Sequence, residues 1–487
     1  MSARELTRRL SPEDAAFLFM DTDASPQNIG SIGIFEGEIS YDRFVENIES
    51  KLHLIPRYRQ RVVSTPLSLA RATWEDDPDF DIRRHVTETR LEAPGSDRQL
   101  IGLAARLYEG RLDRERPLWE ITVVHGLSGG RTGVVAKVHH CLVDGVGGVE
   151  MLMVVLDVSP DPAPPPAPEA PVELRPIPSK LSLAVDALFD SAEERIDRWA
   201  GLQRGLMDLL IGGDSEGLRT LGRGLRRAIP YFTVPVKRAF FNGEFSPKRQ
   251  VSTTSFSFEQ VRAVRKATTG TVNDVVLAVV SLAFREYLRR HGESLEDREL
   301  RVLLPVNVRP EDASGQWGNH ISMLLVELPL YMIDPVEALQ TIAERTERLK
   351  QEHAADGIAM AAQALLGLPT PLLAPMSIMP PPRNNVSNMV CTNVPGPMIP
   401  LYTVGHRLLE HYALAPLGWE MGVGVAVTSY NQRLYVTVQS DAALADDMDD
   451  LRDLLDKAYA KLCAAAGVDA TAETALDIGV PRKVAAA

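Results

Sequence analysis

Apolar residues change their spacing several times along this chain, and each change marks an element. Thr132 to His139 holds the run Gly133-Val134-Val135-Ala136, which predicts a buried strand. Trp119 to His125 predicts a second strand, joined to the first by Gly126-Leu127-Ser128-Gly129-Gly130. Ile29 to Phe35 reads as a strand and Tyr41 to Leu52 as a helix, which the chain leaves over Pro56 to Val62. Leu10-Ser11-Pro12-Glu13-Asp14-Ala15 is a helix start, with Ser11 as cap, proline at the first position and an acidic first turn. Beyond residue 250 the pattern repeats in kind. Val251 to Ser257 predicts a strand, Phe258 to Ala267 a helix, Val272 to Arg290 a long helix and Arg301 to Val306 a strand. Gly422 to Ser429 and Leu434 to Gln439 predict a hairpin across Tyr430-Asn431-Gln432-Arg433, and Asp446 to Ala465 a closing helix.

Helices and strands therefore alternate, which implies an α/β (α+β layered) fold. Ser159 to Ser179 holds nine prolines and reads as an extended spacer. The expected organisation is an N-terminal unit over 1–158, a Pro-rich linker over 159–180, a helical connector over 181–249, a C-terminal unit over 250–468 and a tail over 469–487. A chain of 487 residues suits two such units.

Charge narrows the function classes. The net charge of -13 argues against nucleic acid as a partner. One basic stretch opposes that balance, with Arg219, Arg223, Arg226, Arg227, Lys237, Arg238, Lys248 and Arg249 against Glu244 alone. It is a solvated helix face, an anionic membrane contact or a contact for phosphates. The three cysteines, Cys141, Cys391 and Cys463, are far apart and lack metal-ligand spacing, which suits a reducing compartment. No signal-like apolar segment follows Met1 to Glu5, so the expected location is cytoplasmic. No clean apolar run reaches membrane-spanning length. The nearest, Gly357 to Pro382, carries no charge, but six prolines after Leu368 rule out one continuous helix. It is a core segment, a lining for a greasy substrate or a surface that dips into lipid.

The densest chemistry lies at His139-His140-Cys141-Leu142-Val143-Asp144-Gly145. Imidazole titrates near neutrality and can take a proton from an alcohol or thiol. Neighbours on a strand face opposite ways, so His139 and His140 have different surroundings and different jobs. Asp144 is a candidate to orient the histidine or to hold the loop, and Gly145 to supply a tight turn. Cys141 invites a nucleophile reading, and His139, His140 and Asp144 a zinc reading. Both are set aside, because adjacent strand residues cannot easily converge on one atom. Further along, Asn273 stands in the first turn of a helix that Thr271 and Asp274 can cap. An amide at a helix N-terminus suits a developing oxyanion.

These stretches together resemble a known family. His-His-x-x-x-Asp-Gly is similar to the signature of the coenzyme A-dependent acyltransferase superfamily. Pro117-Leu118-Trp119-Glu120, Asn242-Gly243, Thr271-Val272-Asn273-Asp274-Val275-Val276, Pro305-Val306-Asn307-Val308-Arg309, Gly318-Asn319 and Asn393-Val394-Pro395-Gly396-Pro397 follow in order. From about Leu10 to about Leu462 the set resembles the bacterial wax ester synthase/diacylglycerol acyltransferase family. The resemblance implies two chloramphenicol acetyltransferase-like subdomains with the active site in a tunnel between them. It implies His140 as general base, with His139 beside it at the catalytic centre but structural in role, and it strengthens Asn273 as an oxyanion donor. It implies an ion pair from Asp144 to an arginine, for which Arg57, Arg59 and Arg309 are candidates. Trp119, Asn393 and Gly396 stand as substrate contacts, against a core role for Trp119 and a rigid turn for Asn393 and Gly396.

The implied substrates are acyl-coenzyme A and a long-chain alcohol or diacylglycerol, with no metal and no bound cofactor. Substrates this apolar imply peripheral contact with a membrane or lipid droplet. Two alternatives stand beside this reading. One is an acyltransferase with an acyl-carrier-protein donor. The other is a lipid-binding protein of the same fold without catalysis.

Overall fold

Two six-stranded sheets carry the chain. The computed structural model describes residues 8–142, 155–166, 178–179, 181–183, 234–307, 321–351, 384 and 386–470. In chain order the first elements are α1 (Pro12–Met20), β1 (Asn28–Phe35), α2 (Tyr41–Lys51), β2 (Gln60–Val63), β3 (Thr73–Asp76), β4 (Val86–Arg90), α3 (Asp97–Tyr108), β5 (Trp119–Leu127) and β6 (Arg131–His139). There follow β7 (Arg249–Ser257), α4 (Phe258–Ala267), α5 (Val272–Arg290), β8 (Glu299–Asn307), β9 (Ile321–Pro329) and α6 (Pro335–Gln351). The last are β10 (Met389–Val394), β11 (Tyr402–Thr403), β12 (His406–Leu414), β13 (Val423–Tyr430), β14 (Arg433–Asp441) and α7 (Met448–Ala465).

The first sheet runs β11-β12-β1-β6-β5-β4, and the second β7-β14-β13-β10-β8-β9. The fold is mixed α/β with two sheet-rich subdomains, each around its own apolar core. In the first sheet β1 lies antiparallel to both β12 and β6, which sets Asn28 opposite His139. The β5–β6 pair is antiparallel with Trp119 opposite Val138. Its turn uses Gly129 and Gly130 at φ of 76 and 64, a region that suits residues without a Cβ. In the second sheet the β13–β14 hairpin turns on Asn431 and Gln432, both at positive φ, as a two-residue turn with the right twist demands.

The division of residues between the subdomains departs from the sequence boundaries. Residues 250–468 were expected in one C-terminal unit. β12 instead pairs with β1, and β11 pairs with β12, so both complete the first sheet. The gain is apolar burial: Leu408, Tyr412 and Leu414 enter the first core. Two tyrosines of the second sheet secure the crossing. Tyr430 donates its hydroxyl to the Leu408 carbonyl at 2.8 Å, and Tyr435 to the Leu409 carbonyl at 3.0 Å.

Helix α5 is wrapped by this second core, with Val275 to Phe284 buried. Among the described residues no single helix is long and apolar enough to cross a membrane, and α4 with α5 reach that composition only as a pair bent by 94°. The segment Gly357–Pro382, most of the connector 181–249 and its arginines 219–227 lie outside the described residues.

Candidate active site

His140 stands one residue past the end of β6, where the strand gives way to a turn. Its backbone N–H donates to the Gln27 carbonyl at 2.8 Å. Its ring stacks on Phe17 with centroids 3.9 Å apart and planes 6° from parallel. Phe17 is held there by α1, whose Ser11 cap accepts the Asp14 N–H at 3.0 Å. The imidazole is half-buried. A ring fixed in place is what a general base needs.

His139 has the opposite environment. It is 1% exposed and faces Asp21. Its Nδ1 accepts the Cys141 N–H at 3.1 Å, so in the neutral ring the hydrogen sits on Nε2. That Nε2 lies 3.7 Å from Asp21 Oδ2, an electrostatic contact longer than a full hydrogen bond. Burial lowers the His139 pKa, against the opposing pull of Asp21, so the ring is neutral at pH 7. Asp21 is itself buried, which alone would raise its pKa. His139, the Gln27 N–H and Arg114 outweigh that, and the carboxyl is held below the usual range. Arg111 Nε and Arg114 Nη2 each reach Asp21 Oδ2 at 2.9 Å.

Asp21, Arg111 and Arg114 were missed by sequence reasoning. One signal was available for Asp21: it is the C-cap of α1, where the helix dipole disfavours an anion unless cations compensate. Nothing in the local pattern marks the two arginines as partners of a residue some ninety positions away.

Cys141 is 2% exposed, and burial pushes its thiol pKa well above the ordinary value, with Asp14 and Asp21 adding to the shift. A protonated, buried thiol is a poor nucleophile. Among the described residues no group of three or more His, Cys, Asp or Glu side chains is placed to hold a metal ion. Asp144, Gly145, Arg309, Gly318 and Asn319 lie outside the described residues. Of the candidate arginines, Arg57 is buried over the Trp74 ring and its pKa is brought down to about 10 by burial, against Asp14, Cys141 and Asp76. Arg59 lies over Phe80.

Trp119 packs as core. It is 2% exposed, donates Nε1–H to the Tyr58 carbonyl at 2.8 Å and stacks on His85 at 4.6 Å. The surface that would have to line a channel is covered by these neighbours.

In the second subdomain Asn273 and Asn393 meet. Asn393 Nδ2 donates to Asn273 Oδ1 at 3.3 Å, which orients the Asn273 amide with its NH2 left as donor. Asn273 is the second residue of α5, behind a capping box in which the Asp274 N–H donates to Thr271 Oγ1 and the Thr271 N–H to Asp274 Oδ2. Asp274 Oδ1 also accepts the Thr346 hydroxyl at 2.7 Å. Asn393 lies on β10, beside β13. Gly396 follows at a backbone crossing: a Cβ there would come within 2.2 Å of the Ser429 carbonyl oxygen. Its N–H donates to Ser429 Oγ at 3.0 Å. The motif near residue 393 thus holds β10 against β13 and fixes the amide pair.

The two subdomains are tied beside His140. Ser25 donates its hydroxyl to the Leu417 carbonyl at 2.7 Å, two residues before Gln27. Arg249 Nη2 donates to the Ala24 carbonyl and Nη1 pairs with the buried Asp441.

Comparison with known proteins identifies the family. The wax ester synthase/diacylglycerol acyltransferase catalytic domain matches residues 10–276, and the C-terminal domain of the same family matches residues 317–462. A probable diacylglycerol O-acyltransferase of Mycobacterium tuberculosis is 32% identical over 427 residues, 83% of this chain and 88% of its own. A putative diacylglycerol O-acyltransferase of the same species is 31% identical over 478 residues, 95% and 98% of the two chains. The solved wax ester synthase/diacylglycerol acyltransferase from Marinobacter aquaeolei has the same fold, with a TM-score of 0.65 at 24% identity over 94% of this chain and all of that one. The first condensation domain of the calcium-dependent antibiotic synthetase also shares it, with a TM-score of 0.62 at 16% identity over 96% and 98%. The chain belongs to the wax ester synthase/diacylglycerol acyltransferase family and is an O-acyltransferase.

Proposed function

We propose that the protein moves a fatty acyl group from the thioester of acyl-coenzyme A to the hydroxyl of a long-chain alcohol or diacylglycerol. His140 takes the hydroxyl proton as the oxygen attacks the thioester carbonyl. The amide of Asn273 stabilises the negative oxygen that forms. The tetrahedral intermediate collapses with cleavage of the C–S bond, and His140 returns the proton to the thiolate. The products are a wax ester or a triacylglycerol and free coenzyme A. The scheme uses no covalent acyl-enzyme and no bound cofactor. Asp144 and Gly145 keep a role in the shape of the loop after His140. Peripheral contact with a membrane or lipid droplet brings the apolar acceptor within reach.

The observation that carries this reading is His140 itself: a half-buried imidazole locked by Phe17 and Gln27 in a chain of this family. The test is thiol release from palmitoyl-coenzyme A with a panel of alcohols and diacylglycerol, run beside palmitoyl-acyl carrier protein as donor. Acceptor-dependent thiol release with a neutral-lipid product is expected. Bound lipid without turnover on any acceptor would favour a binding protein. Turnover only from the carrier-protein thioester would replace the donor.

The direct-transfer scheme also predicts the behaviour of Cys141. Cys141→Ala retains most of the parent turnover, because the buried thiol is protonated. Mass spectrometry after incubation with donor alone finds no acyl group on this residue. A stable Cys141 acyl adduct would replace direct transfer with a two-step mechanism.

A further inference from the structure

We propose that Asp21 is a positioning residue for His140, an inference that rests on His140 being the base. Asp21 braces the histidine turn by two routes. In one, Asp21 Oδ1 accepts the Gln27 N–H at 3.1 Å, and the Gln27 carbonyl accepts the His140 N–H at 2.8 Å. Both backbone polar groups of Gln27 thus join Asp21 to the residue that carries the reactive imidazole. In the other, Asp21 Oδ2 faces Nε2 of His139, whose Nδ1 accepts the Cys141 N–H at 3.1 Å. The two routes hold the residues on either side of His140 and the backbone of His140 itself.

The carboxylate is suited to this work. Its side chain is 1% exposed, and both oxygens are engaged. Arg111 and Arg114 hold Oδ2 from the rim, with side chains 34% and 36% exposed. The same short segment supplies the ring support, because Phe17 lies one helical turn before Asp21. The end of α1 and the turn after it therefore form one bracket around His140. The partners of Asp21 are the Gln27 N–H, Arg111, Arg114 and His139, and the reacting imidazole is not among them. Its contribution is geometry, and a small displacement of a reacting group is costly in rate.

The two arginines are a third exposed, so they can be hydrated when Asp21 is lost. Asp21→Ala removes both routes. Asp21→Asn keeps an acceptor for the Gln27 N–H, but its amide NH2 would confront the His139 Nε2–H and two guanidinium groups. The experiment measures kcat and KM for palmitoyl-coenzyme A and for the acceptor in the parent, Asp21→Ala, Asp21→Asn and His140→Ala proteins. Active-site concentration and thermal unfolding are measured on the same samples. The expected result is a fall in kcat of about 10–100-fold for Asp21→Ala. Asp21→Asn should fall in between, with KM values close to the parent's in both.

A folded Asp21→Ala protein with the parent kcat overturns the proposal. So does a loss confined to the fraction of active molecules, with the rate per active site unchanged. Where Asp21→Ala does not fold, Asp21→Asn decides alone: reduced kcat at parental KM supports the proposal, and parental kcat ends it. Should His140→Ala keep the parent rate, the base assignment falls and this inference with it. An inactive His140→Ala beside a fully active Asp21→Ala removes only the role of Asp21.

Discussion

Replacing His140 with alanine is expected to cost acyl transfer about 10²–10⁴-fold, the range for a positioned general base. The fold should survive. His140 lies past the end of β6, and its backbone N–H, which binds Gln27, is kept in the variant. The ring packs on the face of Phe17, so its loss exposes part of one aromatic side chain and opens no hole in the main core. His139→Ala has a different expected signature. His139 is 1% exposed and braces the turn through the Cys141 N–H, so its loss should lower thermal stability together with activity. Turnover at saturating substrates, with circular dichroism on the same samples, separates the two variants. Near-parental turnover in a folded His140→Ala protein would end the mechanism proposed here.

Asn273→Ala is expected to lower turnover about 10²–10³-fold, the usual loss for one oxyanion donor. Donor binding should change little, because the charge it answers exists only in the transition state. The capping box of α5 runs between Thr271 and Asp274, and Asp274 is anchored to Thr346, so the helix persists without the asparagine. Asn273→Asp should do at least as much damage, since a carboxylate repels the developing oxyanion. Asn393→Ala supplies a control of the same amide pair. It removes the donor to Asn273 Oδ1 and should give a smaller loss by freeing the Asn273 amide to rotate. Unchanged turnover in a folded Asn273→Ala protein would return this residue to helix capping and leave the oxyanion without an assigned partner.

Much of the secondary structure was legible because local pattern determines it. Predicted strands at Ile29–Phe35, Trp119–His125 and Thr132–His139 match β1, β5 and β6 to within two residues at either end. The helix at Val272–Arg290 matches α5, because its cap and long apolar run act within the chain itself. The two histidines were also separable from sequence. Strand geometry says that neighbours face apart, and His139 is buried against Asp21 while His140 meets Phe17.

What stayed hidden is whatever depends on partners far away in the chain. Periodicity tells which face of a strand is apolar, but not which sheet receives it. That is why His406–Leu414 reads with its sequence neighbours, although it pairs with β1. Trp119 shows the same limit: core packing and channel lining require the same apolar surface, and only the positions of Tyr58 and His85 decide between them.

By itself, then, the sequence determined the element types, the acyltransferase motif set, the difference in kind between His139 and His140, and the capped helix that carries Asn273. These rest on covalent neighbours, strand and helix periods and side-chain chemistry, all of which act over a few residues. Only the tertiary structure decided that Asp21, Arg111 and Arg114 gather behind His139, that Gln27 links Asp21 to His140, that Asn393 orients Asn273, and that β12 crosses to the first sheet. Those contacts span up to several hundred residues of chain. They form because burying an apolar strand or pairing a buried charge is favourable wherever the partner originates, and no local pattern records where that is.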